Sequence, residues 1–344
     1  MRLLLYTDNH FCEKSSIITK IGDKYSVRLE NQIKSVNWTE ELAVKNNCDA
    51  IICLGDFFDK QFLTDQELTA LNDIKFNTTL PHIFIVGNHE SEEIDLKYSS
   101  TQCLSSSNMF IVNEACKKQI GNVELCFLPY VTERNIRPLS EIFGNKSLSK
   151  RIILSHNDIA GIQMGAILSK TGFQIADIET NCALFLNGHL HNGSKITDKV
   201  INLGNLTGKD FGENAFKYKH CAFVLDTETL ALTAIENPYA FNFYQLTINT
   251  TADIENLDNL KDNMVLKLNC KNALALQLNE KLFSLGNRVA GYKIISIQSV
   301  ENFEDAKLDI ADLTTDYLAE LCTCCKAKLE NTPVLDYELS QICK

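Results

Sequence analysis

The sequence predicts a mixed α/β fold in which two sheets are flanked by helices, with a smaller α+β unit after them. Three observations lead there. Short apolar runs at residues 2–6, 50–54, 82–86, 151–155, 183–186 and 200–203 stop abruptly at glycine or polar residues, as buried strands of an α/β sheet do. Between the first two runs, Leu29, Ile33 and Val36 keep helical spacing, which makes a β-α-β unit with a right-handed crossover. Beyond Pro238 the pattern changes, and a chain of 344 residues is long enough for a large domain and a smaller one, each with its own core. The expected boundaries are 1–240 and 250–344.

In order, residues 2–6 form the first strand, and a loop over 11–27 precedes a helix that runs to about Asn46. Asn47-Cys48-Asp49 turns the chain into the strand at 50–54. Thr64 and Glu67 have the spacing of a capping box at the start of the next helix, and Pro81 leads into the strand at 82–86. Residues 94–106 are expected to be helical, and Gly121-Asn122 marks a hairpin within 110–130. Strands at 221–226 and 231–236 join through Asp226-Thr227-Glu228-Thr229 and are expected at the far edge of the second sheet. After residue 250 come a strand at 265–268, a helix at 272–285 and a strand at 289–298. Two helices close the chain at 313–329 and 333–343, the second started by Thr332-Pro333.

Composition narrows the class. With 45% hydrophobic and 22% charged residues the chain reads as globular. No apolar run approaches the ~18 residues that span a bilayer, and the N-terminal run is too short for an export signal, so a cytosolic protein without membrane contact is expected. Thirteen cysteines, an odd number lying mostly inside apolar runs, read as free buried thiols. The Cys322-Thr323-Cys324-Cys325 cluster lacks a second pair at zinc spacing. A net charge of -11 argues mildly against a nucleic-acid partner.

The chemistry gathers at the strand ends. Asp8-Asn9-His10, Gly55-Asp56, Gly87-Asn88-His89-Glu90, Ser155-His156-Asn157 and Gly188-His189-Leu190-His191 each follow an apolar run, and they hold five of the seven histidines. Open α/β sheets put their ligands at this edge. We read Asp56 as a carboxylate bridging two metal ions, with Asp8, His10, Asn88, His156, His189 and His191 as the other ligands. Imidazole, carboxylate and amide donors without thiolate suit Mn, Fe or Zn. His82 and His220 are expected to be satisfied polar groups.

The ordered set Asp8-x-His10, Gly55-Asp56-x-x-Asp59, Gly87-Asn88-His89-Glu90, His156 and Gly188-His189-x-His191 resembles the calcineurin-like metallophosphoesterase superfamily. Within it the chain is most similar to SbcD-type nucleases of double-strand-break repair, including phage versions. That branch rests on the early helix, the Leu203-Gly204-Asn205 loop, the turn at 226–229 and the extra C-terminal domain. The resemblance implies a two-sheet sandwich with a capping domain and two-metal hydrolysis of phosphodiesters with Mn. It implies that Asp8, His10, Asp56 and His191 hold one ion and Asp56, Asn88, His156 and His189 the other. It also implies that His89 is catalytic, acting on the scissile phosphate or leaving group. DNA, an SbcC-like coiled-coil ATPase held by the C-terminal helices, and a second copy in a homodimer are the implied partners. Because the chain is acidic, DNA contact must come from local cations, and Lys209, Lys217 and Lys219 beside the metals are the candidates. The alternatives are a phosphodiesterase or phosphatase for a small or protein substrate, and a scaffold with an inactive site.

Overall fold

Leu3 and Leu5 leave the first strand on one side, Leu4 and Tyr6 on the other, and all four are buried. That period-2 alternation with no polar face requires cover on both sides of the sheet. The computed structural model, which describes residues 1–91, 96–104, 106–145, 150–164 and 167–297, supplies both covers.

In chain order the elements are β1 (Arg2–Tyr6), α1 (Val27–Lys45), β2 (Ala50–Cys53), α2 (Asp65–Leu71), β3 (His82–Ile85), β4 (Met109–Val112), β5 (Cys116–Ile120) and β6 (Val123–Leu128). Next come α3 (Leu139–Phe143), β7 (Lys150–Ser155), the short hairpin β8 (Gln163–Met164) and β9 (Ile167–Leu168), α4 (Ile175–Asn181), β10 (Leu184–Asn187), β11 (Ser194–Lys195) and β12 (Val200–Asn202). The described chain ends with β13 (Cys221–Asp226), β14 (Leu232–Glu236), β15 (Asn242–Ile248), α5 (Thr251–Glu255), β16 (Met264–Lys271), α6 (Ala275–Leu285) and β17 (Val289–Ile297).

Two six-stranded sheets pack face to face, in the orders β14-β13-β1-β2-β3-β4 and β11-β12-β10-β7-β6-β5. Leu3, Leu5, Ile52 and Leu54 from one meet Leu125, Ile152, Leu154 and Leu186 from the other. On the outer face of the first sheet, Leu4, Tyr6, Ile51 and Phe84 pack with Leu29, Ile33 and Val36 of α1. On the outer face of the second, Ile153 and Phe185 pack with Leu139, Phe143 and Ile178 of α3 and α4. Both sheets are parallel at their centres; the second is antiparallel at both edges, and the first only on the β13-β14 side, since β4 pairs parallel with β3. Their carboxyl ends therefore open on one side. Ser26 caps α1 through its hydroxyl, and Thr64 with Glu67 forms the capping box of α2.

A third, all-parallel sheet, β15-β16-β17, packs against α5 and α6 through Tyr244, Leu266, Leu268, Leu278 and Leu282. It belongs to the same compact unit, Met1–Ile297, as the two large sheets.

Three expectations are corrected. The hairpin β13-β14 extends the first sheet, because β13 pairs antiparallel with β1, and does not edge the second. Within 94–106 the described residues hold one 3-10 turn, Ser100–Cys103, where serines compete with the backbone for hydrogen bonds. The third sheet also has a strand, β15, that begins before residue 250. The helices expected at 313–329 and 333–343 and the Cys322–Cys325 cluster lie outside the described residues. Nine described cysteines form no disulfide, and seven of them are buried. Among the described residues no helix is long and apolar enough to cross a membrane.

Glu124 on β6 and Arg151 on β7 are direct cross-strand neighbours, both buried and ion-paired. Arg151 also donates to the carbonyls of Gly144 at 3.0 Å and Asn145 at 3.3 Å, tying down the end of α3. Burial pushes the Glu124 carboxyl up, but its bond to Arg151 outweighs this and holds it below the usual range. Arg151→Met should cost about 3 kcal/mol, the low end for an orphaned buried charge, because Lys117 stays 3.6 Å from Glu124. An ionised Glu124 contributes fully above its unfolded pKa and loses that contribution as pH falls. Denaturant unfolding should thus show the gap between wild type and variant closing below roughly pH 4; a gap independent of pH would contradict the pairing.

Candidate metal centre

The ends of β1 and β2 run on side by side after the strands stop. Asp8 N–H donates to Gly55 O at 3.0 Å, His10 N–H to Asp56 O at 2.9 Å and Phe11 N–H to Phe57 O at 2.7 Å. The chain makes this course by turning left-handed at Asp8, His10 and Asp56, with φ of 51°, 48° and 48°. His189, after β10, has φ 71°. Non-glycine residues rarely adopt this backbone, which costs on the order of 1–3 kcal/mol at each. Four of the seven candidate ligands are therefore held in strained backbone at one edge of the sandwich. The glycines of the motifs are there for room. A Cβ on Gly87 would strike the Asp56 carboxylate, and one on Gly188 would strike the Thr7 hydroxyl and the His156 ring.

All seven candidate ligands come together, in two groups around one oxygen. Ligand atoms of Asp8, His10 and His191 lie within 4.8 Å of one another, as do those of Asp56, His156 and His189. Asn88 joins the second group, its Oδ1 2.9 Å from His189 Nδ1. Asp56 Oδ2 stands between them, 3.2 Å from His156 Nε2 and 3.9 Å from His10 Nε2. The other Asp56 oxygen accepts from the His89 N–H at 3.0 Å. Asp8 divides its oxygens in the same way. Oδ2 accepts from the Thr7 hydroxyl at 2.5 Å and the His189 N–H at 3.0 Å, while Oδ1 faces His10 and His191 at 3.7 and 3.9 Å.

These atoms fit cations and little else. Asp8 Oδ1 and His156 Nε2 are buried without a hydrogen-bond partner among the described residues, and an orphaned buried polar atom costs about 1–3 kcal/mol. His10 Nε2 and His191 Nε2 are 3.0 Å apart. Each imidazole is anchored on its far side: His156 Nδ1 on Leu54 O at 2.7 Å, His10 Nδ1 on Asp59 Oδ1 at 2.9 Å and His191 Nδ1 on Glu213 Oε1 at 3.0 Å. A ring that donates from Nδ1 keeps a lone pair on Nε2, so His156 and His191 turn lone pairs inward, whereas His10 Nδ1 lies between the Asp59 carboxylate and the Lys209 ammonium, 3.1 Å away. His189 is reversed, with Nε2 on Asp158 Oδ1 at 3.2 Å and Nδ1 toward Asn88.

The electrostatics agree. Burial pushes the Asp56 carboxyl up, yet His156 and His10 outweigh it and hold it at about 2; Asp8 is held well below its usual range by His156, His10 and His191 in spite of its burial. Burial pulls His156 down, but Asp56 and Asp8 push it up to about 9. A proton thus neutralises the cluster where a metal would, and metal uptake competes with it. Glu90 is lifted to about 7 by burial and by Asp56; its carboxyl accepts from Phe58 N–H at 3.1 Å and Gly87 N–H at 2.8 Å, bracing both loops.

His89 stands at the rim, with 36% of its side chain exposed. Its Nδ1 is 3.1 Å from Asp59 O and its ring is edge-on to His10. The three lysines do not gather. Lys209 Nζ sits inside, 2.8 Å from Asp59 Oδ1 and 3.1 Å from His10 Nδ1. Lys219 is ion-paired with Glu236 on β14 at 3.3 Å, and Lys217 is exposed. His82 is buried on Glu40 at 3.0 Å, and His220 lies on Asn205 O at 3.1 Å. Reasoning from sequence gave no role to Asp59, Asp158 or Glu213. Asp59 at least stood within the Gly-Asp-x-x-Asp motif; Glu213 had no signal at all.

Because Asp56 Oδ2 stands between the two groups, 3.2 Å from His156 Nε2 and 3.9 Å from His10 Nε2, Asp56→Ala should strip both ions, whereas His10→Ala should mainly weaken one. Elemental analysis of the purified variants checks this, and two metals retained by Asp56→Ala would contradict the bridge.

The family model for calcineurin-like phosphoesterases matches residues 1–219. Among solved structures, a dimetal phosphatase from Danio rerio is similar to this chain, with a TM-score of 0.41 and 11% identity over 69% of this chain and 98% of that one. No curated protein sequence matches. With nearly two-thirds of its length described by that one family model and a paired histidine-carboxylate centre at the strand ends, the chain belongs to the calcineurin-like phosphoesterases, a family of metal-dependent hydrolases.

Proposed function

We propose that the chain is a Mn-dependent DNA nuclease of the SbcD type, hydrolysing phosphodiester bonds in recombination and repair. Two divalent ions would be held by Asp8, His10, Asp56 and His191 and by Asp56, Asn88, His156 and His189, and would supply charge stabilisation for the phosphoryl group and a more acidic water. The remaining work falls to the chain. His89, oriented by Asp59 and fixed through its backbone to Asp56, offers a proton or hydrogen bond to the leaving oxygen. Lys209 places a cation beside this site, and Lys217 is exposed on the same loop for a phosphate further along.

The observation that carries the nuclease reading is the third sheet. Ile17 and Ile18, in the loop after His10, pack with Phe241, Phe243, Val265 and Ala290. The loop after Asn205 is tied to the same sheet by Gln245 Nε2 donating to Phe211 O at 2.8 Å and by Ala215 N–H donating to Phe243 O at 3.0 Å. Two of the loops that rise from the metal centre are thus buttressed by added structure. A small phosphoester needs no such wall, whereas a long polyanion needs a fixed one. An SbcC-like ATPase as partner, through residues 313–343, and a homodimer belong to the same proposal.

The test is cleavage with Mn of linear duplex and single-stranded DNA beside bis-p-nitrophenyl phosphate and p-nitrophenyl phosphate. The proposal expects DNA cleavage that falls at least ~100-fold in His89→Gln, as for loss of a general acid, with both metals and DNA affinity retained. Hydrolysis of the monoester alone would favour a phosphatase, and loss of metal in His89→Gln would make His89 structural.

A further inference from the structure

We propose that Glu213 is a positioning residue for the metal centre, fixing the tautomer and direction of His191 with one oxygen and the Lys209 loop with the other. This rests on the metal centre and not on the choice of DNA as substrate. Glu213 is 2% exposed, in the loop between β12 and β13. Its Oε1 is 3.0 Å from His191 Nδ1, and its Oε2 accepts from the Lys209 N–H at 2.9 Å. No lysine or arginine pairs with it among the described residues; its other polar neighbours are the Asn205 side chain, His220 Nε2 at 3.9 Å from Oε2, and the Asp210 carboxylate within 4.8 Å. A carboxylate is expensive to bury, so one held on a histidine and a backbone amide has its charge spent there. Accepting from Nδ1–H makes Nε2 the lone-pair nitrogen and raises its basicity as a ligand. The second oxygen holds the backbone of Lys209, whose ammonium lies on Asp59. One buried side chain thus sets a metal ligand and the cation beside the site.

The geometry makes glutamine a sharp probe. The Lys209 N–H requires an acceptor, so the amide oxygen of Glu213→Gln would turn to Lys209 and its NH2 to His191 Nδ1. His191 would then carry its proton on Nε2, where the metal should bind. Calorimetric titration of Mn into the metal-free full chain should give two binding steps in the wild type. Glu213→Gln should weaken one of them about 10–100-fold and leave the other, with the metal-free unfolding midpoint unchanged. In a His191→Ala background, Glu213→Gln should add no further loss. Two unaltered steps in Glu213→Gln would overturn the proposal, as would an equal loss with and without His191, or lost metal-free stability at wild-type affinity. A wild type that binds no Mn would refute the metal centre itself, whatever the substrate.

Discussion

Asp56 Oδ2 and the lone pairs turned toward it are the constraint on which the rest of the molecule depends. Around that oxygen lie His156 Nε2, His10 Nε2 and, one step further, His191 Nε2 and Asp8 Oδ1. Asp8 Oδ1 is an acceptor, as are His156 Nε2 and His191 Nε2 once their Nδ1 atoms donate outward, and packed acceptors repel unless cations sit among them. The local backbone accepts strain to keep them there. Asp8, His10, Asp56 and His189 are left-handed, and Gly87 and Gly188 clear the space their neighbours need. Strain of this kind persists only where the surroundings over-determine it. Here those surroundings are two six-stranded sheets whose parallel centres end at one edge.

Much of this was legible in the sequence because strand ends are. Apolar runs that stop at Gly-Asp, Gly-Asn and Gly-His showed both the strands and the edge where their ligands meet. The spacing of Leu29, Ile33 and Val36 marked α1, and Thr64 with Glu67 marked the start of α2. What was hidden depends on pairing across long stretches. The pattern of β13 and β14 says they form a hairpin, but only their register with β1 says which sheet they join. Glu213 sits in a Gly-Glu-Asn sequence that reads like any turn, and its role appears only when His191, 22 residues away, is seen on its oxygen. A loop with three lysines likewise reads as one basic surface, although folding draws Lys209 inward to Asp59 and leaves Lys219 on Glu236.

The outer anchors link chemistry to fold. Asp59 holds His10, Asp158 holds His189, Glu213 holds His191 and the Leu54 carbonyl holds His156. The anchors come from three loops, Leu54 and Asp59 from the one after β2, Asp158 from the one after β7 and Glu213 from the one after β12, so the directions of the imidazoles report the positions of three pieces of chain. The loops after His10 and Asn205 are in turn fixed to the third sheet. Small shifts there would reach the ligands through these contacts.

The most direct measurement is anomalous diffraction at the Mn edge from crystals grown with Mn. Two peaks are expected, flanking Asp56 Oδ2 and each within bonding distance of it, one against Asp8, His10 and His191 and the other against Asn88, His156 and His189. A single peak, or two that do not share Asp56, would contradict the bridged centre on which the account rests.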